Sequence, residues 1–304
     1  MTPAYSICMC NYNMEDTLNT SLVTILDQID DDFEVVVVDD GSTDNSVSII
    51  RNIQRNYPNL RLVELKRDRK RRLGATRNIS VECARGDFVF LNIDCDDIYQ
   101  PYIRDFALVF HKIEACLERE VFLKGRNINI GRREFLLKYG PYRNTFAEDR
   151  DMWHRLAADG AYIYLDHIAF MKRLQIKRVA TIKKALRIKT WEHLIYEFRR
   201  GRRLSNVLFS ALRNIVQRGA SGKSPRTNLV RLFFAAPAYV VGRFESPLPM
   251  PETMPRHEDF KAYRERTRGT FKQIMERNGC DGDLSFLRSE ARYYFEHENV
   301  IKKG

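Results

Sequence analysis

Nowhere among the 304 residues does an apolar run reach eighteen, so no segment reads as a simple membrane-spanning helix. The six cysteines (Cys8, Cys10, Cys83, Cys95, Cys116, Cys280) contain no CxxC pair and no zinc-ligand spacing. They are expected to act as structural or spectator residues, with Cys8 and Cys10 two apart on one face of a strand. No long polar tract interrupts a chain that is 44% hydrophobic and 30% charged, which argues against disorder and allows a sizeable core. Neither a basic leader nor a cleavage site follows Met1, so the expectation is a cytoplasmic protein. No internal repeat is visible.

Acidic residues are scarce in the second half. Residues 1–170 hold 22 Lys and Arg against 27 Asp and Glu, whereas residues 171–304 hold 29 against 13, so the net +11 is all in the back of the chain. Most of the excess lies in 171–243, where 18 basic residues face only Glu192 and Glu197. An acidic-leaning front and a basic back suggest two jobs in one chain.

The first hundred residues alternate strand and helix. Tyr5–Cys10 is a short apolar run broken by Asn11-Tyr12-Asn13, and Leu18, Leu22, Ile25, Leu26 and Ile29 then recur at helical spacing. Glu34–Val38 is a continuous β-branched run, as expected of a strand buried on both faces of a parallel sheet. It stops at Asp39-Asp40-Gly41-Ser42-Thr43-Asp44, a turn and N-cap sequence, and a helix follows to about Arg55. Leu60–Leu65, Gly74–Ala84 and Phe88–Ile93 read as strand, helix and strand. Such alternation predicts right-handed βαβ units in a doubly wound sheet, where ligands bind beyond the carboxyl ends of the strands. Further on the pattern predicts a helix near 102–118, a strand near 121–130, a helix after Gly131, a helix over Glu148–Asp159 and a strand over Ala161–Leu165. Beyond 170 the texture is helical, with a linker at Gly219–Pro225, an apolar stretch at Leu229–Val241, and a proline-marked connector at Pro247, Pro249, Pro251 and Pro255.

Four motifs fall in order: Tyr12-Asn13-Met14-Glu15; Val37-Val38-Asp39-Asp40-Gly41-Ser42-Thr43-Asp44; Leu73-Gly74-Ala75-Thr76-Arg77-Asn78 leading on to Asn92-Ile93-Asp94-Cys95-Asp96-Asp97; and Ala147-Glu148-Asp149-Arg150-Asp151-Met152-Trp153. An isolated Asp-x-Asp or Asp-Gly-Ser is ordinary turn chemistry, and Asp149 alone is a first-turn helix carboxylate. Together, over about residues 5–170, they resemble glycosyltransferase family 2, inverting enzymes of the GT-A fold. The resemblance implies an α/β, Rossmann-like, mostly parallel sheet flanked by helices as residues 1–170, followed by a basic, mainly helical extension as 171–304.

The same resemblance implies roles. Asp96 is the direct metal ligand, and Asp94 contacts the ribose or the metal's surroundings. Asp40 accepts a hydrogen bond from the base, Tyr12 and Glu15 lie near base and ribose, and Arg77 lies near base or phosphates. Asp149 takes the proton from the attacking hydroxyl. Chemistry agrees with these assignments: a hard divalent cation, Mn²⁺ or Mg²⁺, neutralises the diphosphate that leaves when a nucleotide-sugar is cleaved. Glu148 and Trp153 would shape the acceptor side, Asp97 would cap a helix or support the ligands, and Asp39 would serve its own turn.

Two departures stand out. Lys66-Arg67-Asp68-Arg69-Lys70-Arg71-Arg72 replaces a Gly/Asn-rich loop, and the histidine ligand that relatives supply beyond the base has no clear counterpart. Gln175 falls nearest its spacing, and His167, the weaker candidate metal ligand, comes earlier. The expectation is transfer of a sugar, with inversion, from a UDP-linked donor to a hydroxyl on a lipid-linked glycan or cell-surface polysaccharide precursor. The basic helical region would lie on an anionic membrane surface, and no nucleic-acid recognition motif is present. A sugar nucleotidylyltransferase should carry a Gly-rich, Arg-containing loop in Asn11–Asp16, which has none. A non-catalytic module on a degenerate fold is opposed by the intact Asp94, Asp96 and Asp149.

Overall fold

The computed structural model describes residues 2–139, 142–174, 187–216, 225–245, 247–248 and 257–298. The continuous apolar run becomes β2 (Phe33–Asp39), buried at every position, and pairs in parallel on either side with β1 (Tyr5–Asn11) and β3 (Leu60–Glu64). Helices α1 (Glu15–Leu26), α2 (Ser46–Gln54) and α3 (Leu73–Cys83) make the crossovers, and β4 (Phe88–Leu91) joins the other edge of β1. After α4 (Ile103–Leu117), the expected single strand over 121–130 is instead two short ones, β6 (Phe122–Lys124) and β7 (Asn129–Arg132). The chain reverses between them through Gly125 and Asn127, whose φ of 56° lies in the left-handed region. With β8 (Tyr162–Tyr164) the sheet has seven strands in the order β3-β2-β1-β4-β7-β6-β8, parallel except at β7.

Strand pleating sorts the side chains. Ile7, Met9, Val35, Val37 and Phe90 enter one core, with α1, α2 and α4, while Cys8, Val89 and Leu91 enter the other, with Val81, Leu136, Met152 and Leu156. Those last three come from α5 (Arg133–Tyr139) and α6 (Glu148–Ala158). β1 continues past the end of β4: its last residues Asn11 and Cys10 pair only with β2, because β4 covers only Tyr5–Ile7. Adjacent strands leaving β1 toward opposite sides make this the switch point, the place where a doubly wound sheet sets its ligand crevice.

Asp97 does not cap a helix. It begins β5 (Asp97–Tyr99), which pairs antiparallel with β9 (Met171–Arg173) in a separate ribbon. The region after 170 also divides in two. A π-helical turn (Arg187–Glu192), α7 (His193–Arg199), α8 (Leu204–Val216) and α9 (Pro225–Phe244) share a small core of Leu194, Ile195, Phe198, Val207, Ala235 and Ala238. By contrast α10 (His257–Thr267), α11 (Phe271–Arg277) and α12 (Ala291–Glu296) return to the sheet: Phe260 and Tyr263 complete one core, and Phe271, Ile274, Met275 and Phe295 the other. A boundary at 170 therefore does not separate 257–298 from the sheet. The same return brings Cys280 onto Cys116 in a disulfide across 164 residues, a structural role for two of the six cysteines. The expected linker and proline-marked connector fall largely outside the described residues, as does Gln175.

Candidate active site

The turn after β2 is built by Asp39. Its carboxylate accepts from Gly41 N (3.1 Å), Ser42 N (2.9 Å), Ser42 Oγ (2.5 Å) and Asn11 Nδ2 (2.7 Å), leaving no role for it outside the turn. Gly41 is required there: its φ is 74°, and a Cβ would meet Arg67 N at 2.6 Å. Asp40 is thereby turned toward the crevice, where Arg67 and Arg71 both bind it, Arg71 Nε at 2.6 Å. Arg67 also lies over the Tyr12 ring, 4.2 Å from its centroid. Thus the basic loop that departs from the family pattern covers the two residues expected to meet a base. Glu15 is placed nearby but is spent on structure, accepting from Asn45 N (3.0 Å) and Nδ2 (2.8 Å) at the start of α2.

β4 ends at Leu91, and Asn92 turns the chain through a left-handed φ of 62°. Asp94, Asp96 and Asp97 follow, each offering a carboxylate oxygen within 4.8 Å of the others. Three hard oxygen donors on one turn fit a divalent cation. Thr17 and Ser21 on α1 fix the turn's backbone, through Cys95 O at 2.9 Å and Asp97 O at 2.7 Å. Arg173, from β9, occupies the carboxylates: its guanidinium is 2.8 Å from Asp94, 2.9 Å from Asp97 and 3.7 Å from Asp96. Burial pushes the Asp97 carboxyl above its ordinary value, and Arg173 pulls it back.

The third group lies at the start of α6. Arg77, buried on α3, reaches Asp149 at 2.5 Å, Glu148 at 3.1 Å and Asp94 at 3.8 Å. Gly74 lets α3 approach that closely, because a Cβ there would meet Glu148 Cβ at 2.9 Å. Burial and the neighbouring Asp149 charge push the Glu148 carboxyl up to about 7, with Arg77 opposing. Across from them Lys124, at the end of β6, is pushed down to about 8 by burial while Asp149 draws it up. Its ammonium lies 5.2 Å from the Trp153 ring centroid and 5.1 Å from that of Tyr164.

The crevice thus gathers Tyr12, Asp40, Arg77, Asp94, Asp96 and Asp149, separated by up to 137 positions in the chain. His167 is not among them. It is fully buried; Arg126 N–H donates to its Nε2 at 2.8 Å, and its Nδ1 donates to Ile168 O at 2.8 Å. With both ring nitrogens bound to backbone and its pKa pushed down to about 4 by burial, it holds the β6–β7 turn rather than a metal. Sequence reasoning missed Arg173 and Lys124, neither of which carries a local motif.

The mostly parallel α/β sheet flanked by helices has the GT-A fold. A family model described as glycosyl transferase family 2 matches residues 6–170, more than half of the chain, and the chain belongs to that family. Relatives include the putative glycosyltransferase EpsH of Bacillus subtilis (strain 168), 34% identical over 100 residues, 33% of this chain and 28% of EpsH. An uncharacterized glycosyltransferase of Haemophilus influenzae is 31% identical over 195 residues, 55% of this chain and 59% of the relative. The matches therefore span less than two thirds of those relatives' own lengths, 28% of one and 59% of the other. Among solved structures, Staphylococcus aureus TarS 1–349 in complex with UDP-GlcNAc aligns over 97% of this chain and 99% of that one, with TM-score 0.53 at 19% identity. At that identity the likeness is one of fold.

Proposed function

We propose that the protein moves a sugar, with inversion, from a nucleotide-sugar to an acceptor hydroxyl. The observation that carries this reading is Arg77, which ties the expected base Asp149 (2.5 Å) to the acidic turn at Asp94 (3.8 Å), so donor and acceptor groups share one crevice. Asp149 accepts the acceptor's proton as its oxygen bonds to the anomeric carbon. The bond from that carbon to the diphosphate oxygen breaks, and the nucleoside diphosphate leaves with the electron pair. A single in-line displacement of this kind inverts the anomeric centre. Asp96 and Asp94, with Asp97 beside them, would hold Mn²⁺ or Mg²⁺, which when bound neutralises the diphosphate. Asp40 and Tyr12 would receive the base, for which uridine is the proposal, once Arg67 has withdrawn.

Arg77 orients Asp149, and Lys124 adds positive charge on the same side. The proposed acceptor is a lipid-linked glycan or cell-surface polysaccharide precursor met at the cytoplasmic side of a membrane. Asp149→Asn should retain binding of a UDP-sugar with Mn²⁺ in a thermal-shift titration while transfer falls by roughly 10²–10⁴-fold. Unchanged turnover would remove Asp149 as the base.

A further inference from the structure

The small helical unit leaves apolar side chains uncovered in an ordered way. α8 turns Val207 and Ala211 inward and presents Phe209, Leu212 and Val216 outward, a spacing of three and four that keeps them on one face. α9 packs against α8 and turns Ala235 and Ala238 inward, while Phe233, Val240 and Phe244 point out at spacings of seven and four. Phe233 is 77% exposed, Val216 79% and Phe244 89%, so these side chains project into solvent rather than line a groove. Apolar side chains this exposed along a helix face mark an interaction surface.

Charge identifies what it meets. Residues 204–244 contain no Asp or Glu at all. Arg213 and Arg243 are exposed beside Leu212 and Phe244, and neither makes an ion pair among the described residues. The nearby carboxylate of Glu197 is already taken, by Arg202 at 2.9 Å, Arg231 at 2.9 Å and His193 at 3.1 Å. Glu245, which follows Phe244, is likewise held by Arg199 at 3.0 Å, so a second copy seated on this face would bring arginines against arginines with no unpaired carboxylate of this unit to compensate. Lipid phosphates beside acyl chains satisfy both features at once, charge at the headgroups and apolar side chains below them. Among the described residues no helix is long and apolar enough to cross a membrane, and α9 carries Pro237 within it.

We propose that the outward faces of α8 and α9 together form a docking surface for an anionic lipid bilayer, with the phenylalanines inserted at the interface and Arg213 and Arg243 on the phosphates. The unit is fixed to the catalytic crevice: Arg72 pairs with Glu192 at 2.9 Å, and Arg150 on α6 meets His193 at 3.5 Å. Docking therefore holds α6, which carries Asp149, close to the bilayer, and the proposal deepens the reading of the acceptor as lipid-linked.

Flotation of the full chain with phosphatidylcholine vesicles, with and without phosphatidylglycerol, tests it. The wild type should float with the mixed vesicles, less so as salt is added, and scarcely with neutral ones. Phe233→Ser with Phe244→Ser should lower the partition coefficient at least about tenfold, and Arg213→Gln and Arg243→Gln by roughly fivefold each on mixed vesicles only. All four side chains are exposed, so melting temperature and UDP-sugar binding should stay at wild-type values. Wild type that ignores anionic vesicles, variants that float like wild type, or a lipid-free dimer that the phenylalanine substitutions dissolve would each overturn the docking surface. Flotation that persists while a lipid-linked acceptor is not glycosylated would overturn the acceptor reading alone.

Discussion

Arg173 sits where a divalent cation would have to bind, so removing its charge should tighten cation binding. Its guanidinium contacts Asp94 at 2.8 Å, Asp97 at 2.9 Å and Asp96 at 3.7 Å, and a cation accepting the same oxygens must displace it. At about 4 Å a unit pair is worth about 1–4 kcal/mol between bulk water and a protein surface. Because Arg173 is 51% exposed, the low end applies to Asp94 and Asp96, while Asp97, wholly buried, loses more. A net competition of about 1–2 kcal/mol translates to roughly a five- to thirtyfold lower dissociation constant for Mn²⁺ in Arg173→Gln. The assay is titration of Mn²⁺ against protein without donor, following the free-ion EPR signal. Two accompanying effects identify the cause. The advantage should shrink with salt, and the metal-free variant should melt below wild type, because Asp97 has lost its partner, with saturating Mn²⁺ closing the gap. An unchanged or weaker Mn²⁺ affinity in the variant would refute the competition.

Glu148 titrates near 7 in the folded chain against 4.5 ordinarily, because burial and Asp149 disfavour its charge. Between those values the folded state holds a proton that the unfolded chain has lost, so stability falls as pH rises from 4.5 to 7. Glu148→Gln should flatten that fall by roughly 1–2 kcal/mol, read as urea midpoints at pH 5 and 8; parallel profiles for the two proteins would contradict it. Cys280→Ser opens a cross-link spanning 164 residues, with a loss of up to roughly 5 kcal/mol of stability from loop closure. Reductant should lower the denaturation midpoint of wild type and leave the variant untouched, and a wild type insensitive to reductant would count against the bridge.

What could be seen in the sequence and what could not divides along chain separation. Glu34–Val38 announces a doubly covered strand by composition alone, and the Asp39–Asp44 turn announces its own end, so the first four strands and the acidic turn were legible. Asp39 was separable from Asp40 because a turn needs one carboxylate aimed back at its own backbone. Arg173 was not legible: it reaches the acidic turn only because β9 pairs with β5, two three-residue strands more than seventy positions apart with no periodicity to mark them. The same holds for Phe271 and Phe295, which belong to the sheet's core through a chain return that local pattern does not encode. His167, the weaker candidate metal ligand, shows the opposite limit. Residue type suggests a ligand, whereas the ring's Nε2 serves as the buried acceptor for Arg126 N–H in the β6–β7 turn while its Nδ1–H is held by Ile168 O.

The arginines around the crevice differ in what a bound donor requires of them. A diphosphate brings negative charge to a pocket where Asp40, Asp94, Asp96, Asp97 and Asp149 already converge, so positive charge must remain or arrive as it binds. Arg77 is the group suited to remain: it is buried, and its contact with Asp149 orients the carboxylate proposed to take the proton. Arg67 and Arg173 are suited to leave, since each is substantially exposed, is attached to a loop or a short ribbon, and lies on the surface of the proposed donor site, Tyr12 and Asp40 for one and the acidic turn for the other. Displacing Arg67 frees a guanidinium beside the crevice as the diphosphate enters, which converts a covering contact into a phosphate contact without desolvating a new charge. On this reasoning the basic loop 66–72, the clearest departure from the family pattern, is an exchange group: it neutralises Asp40 until the donor supplies its own hydrogen bonds there.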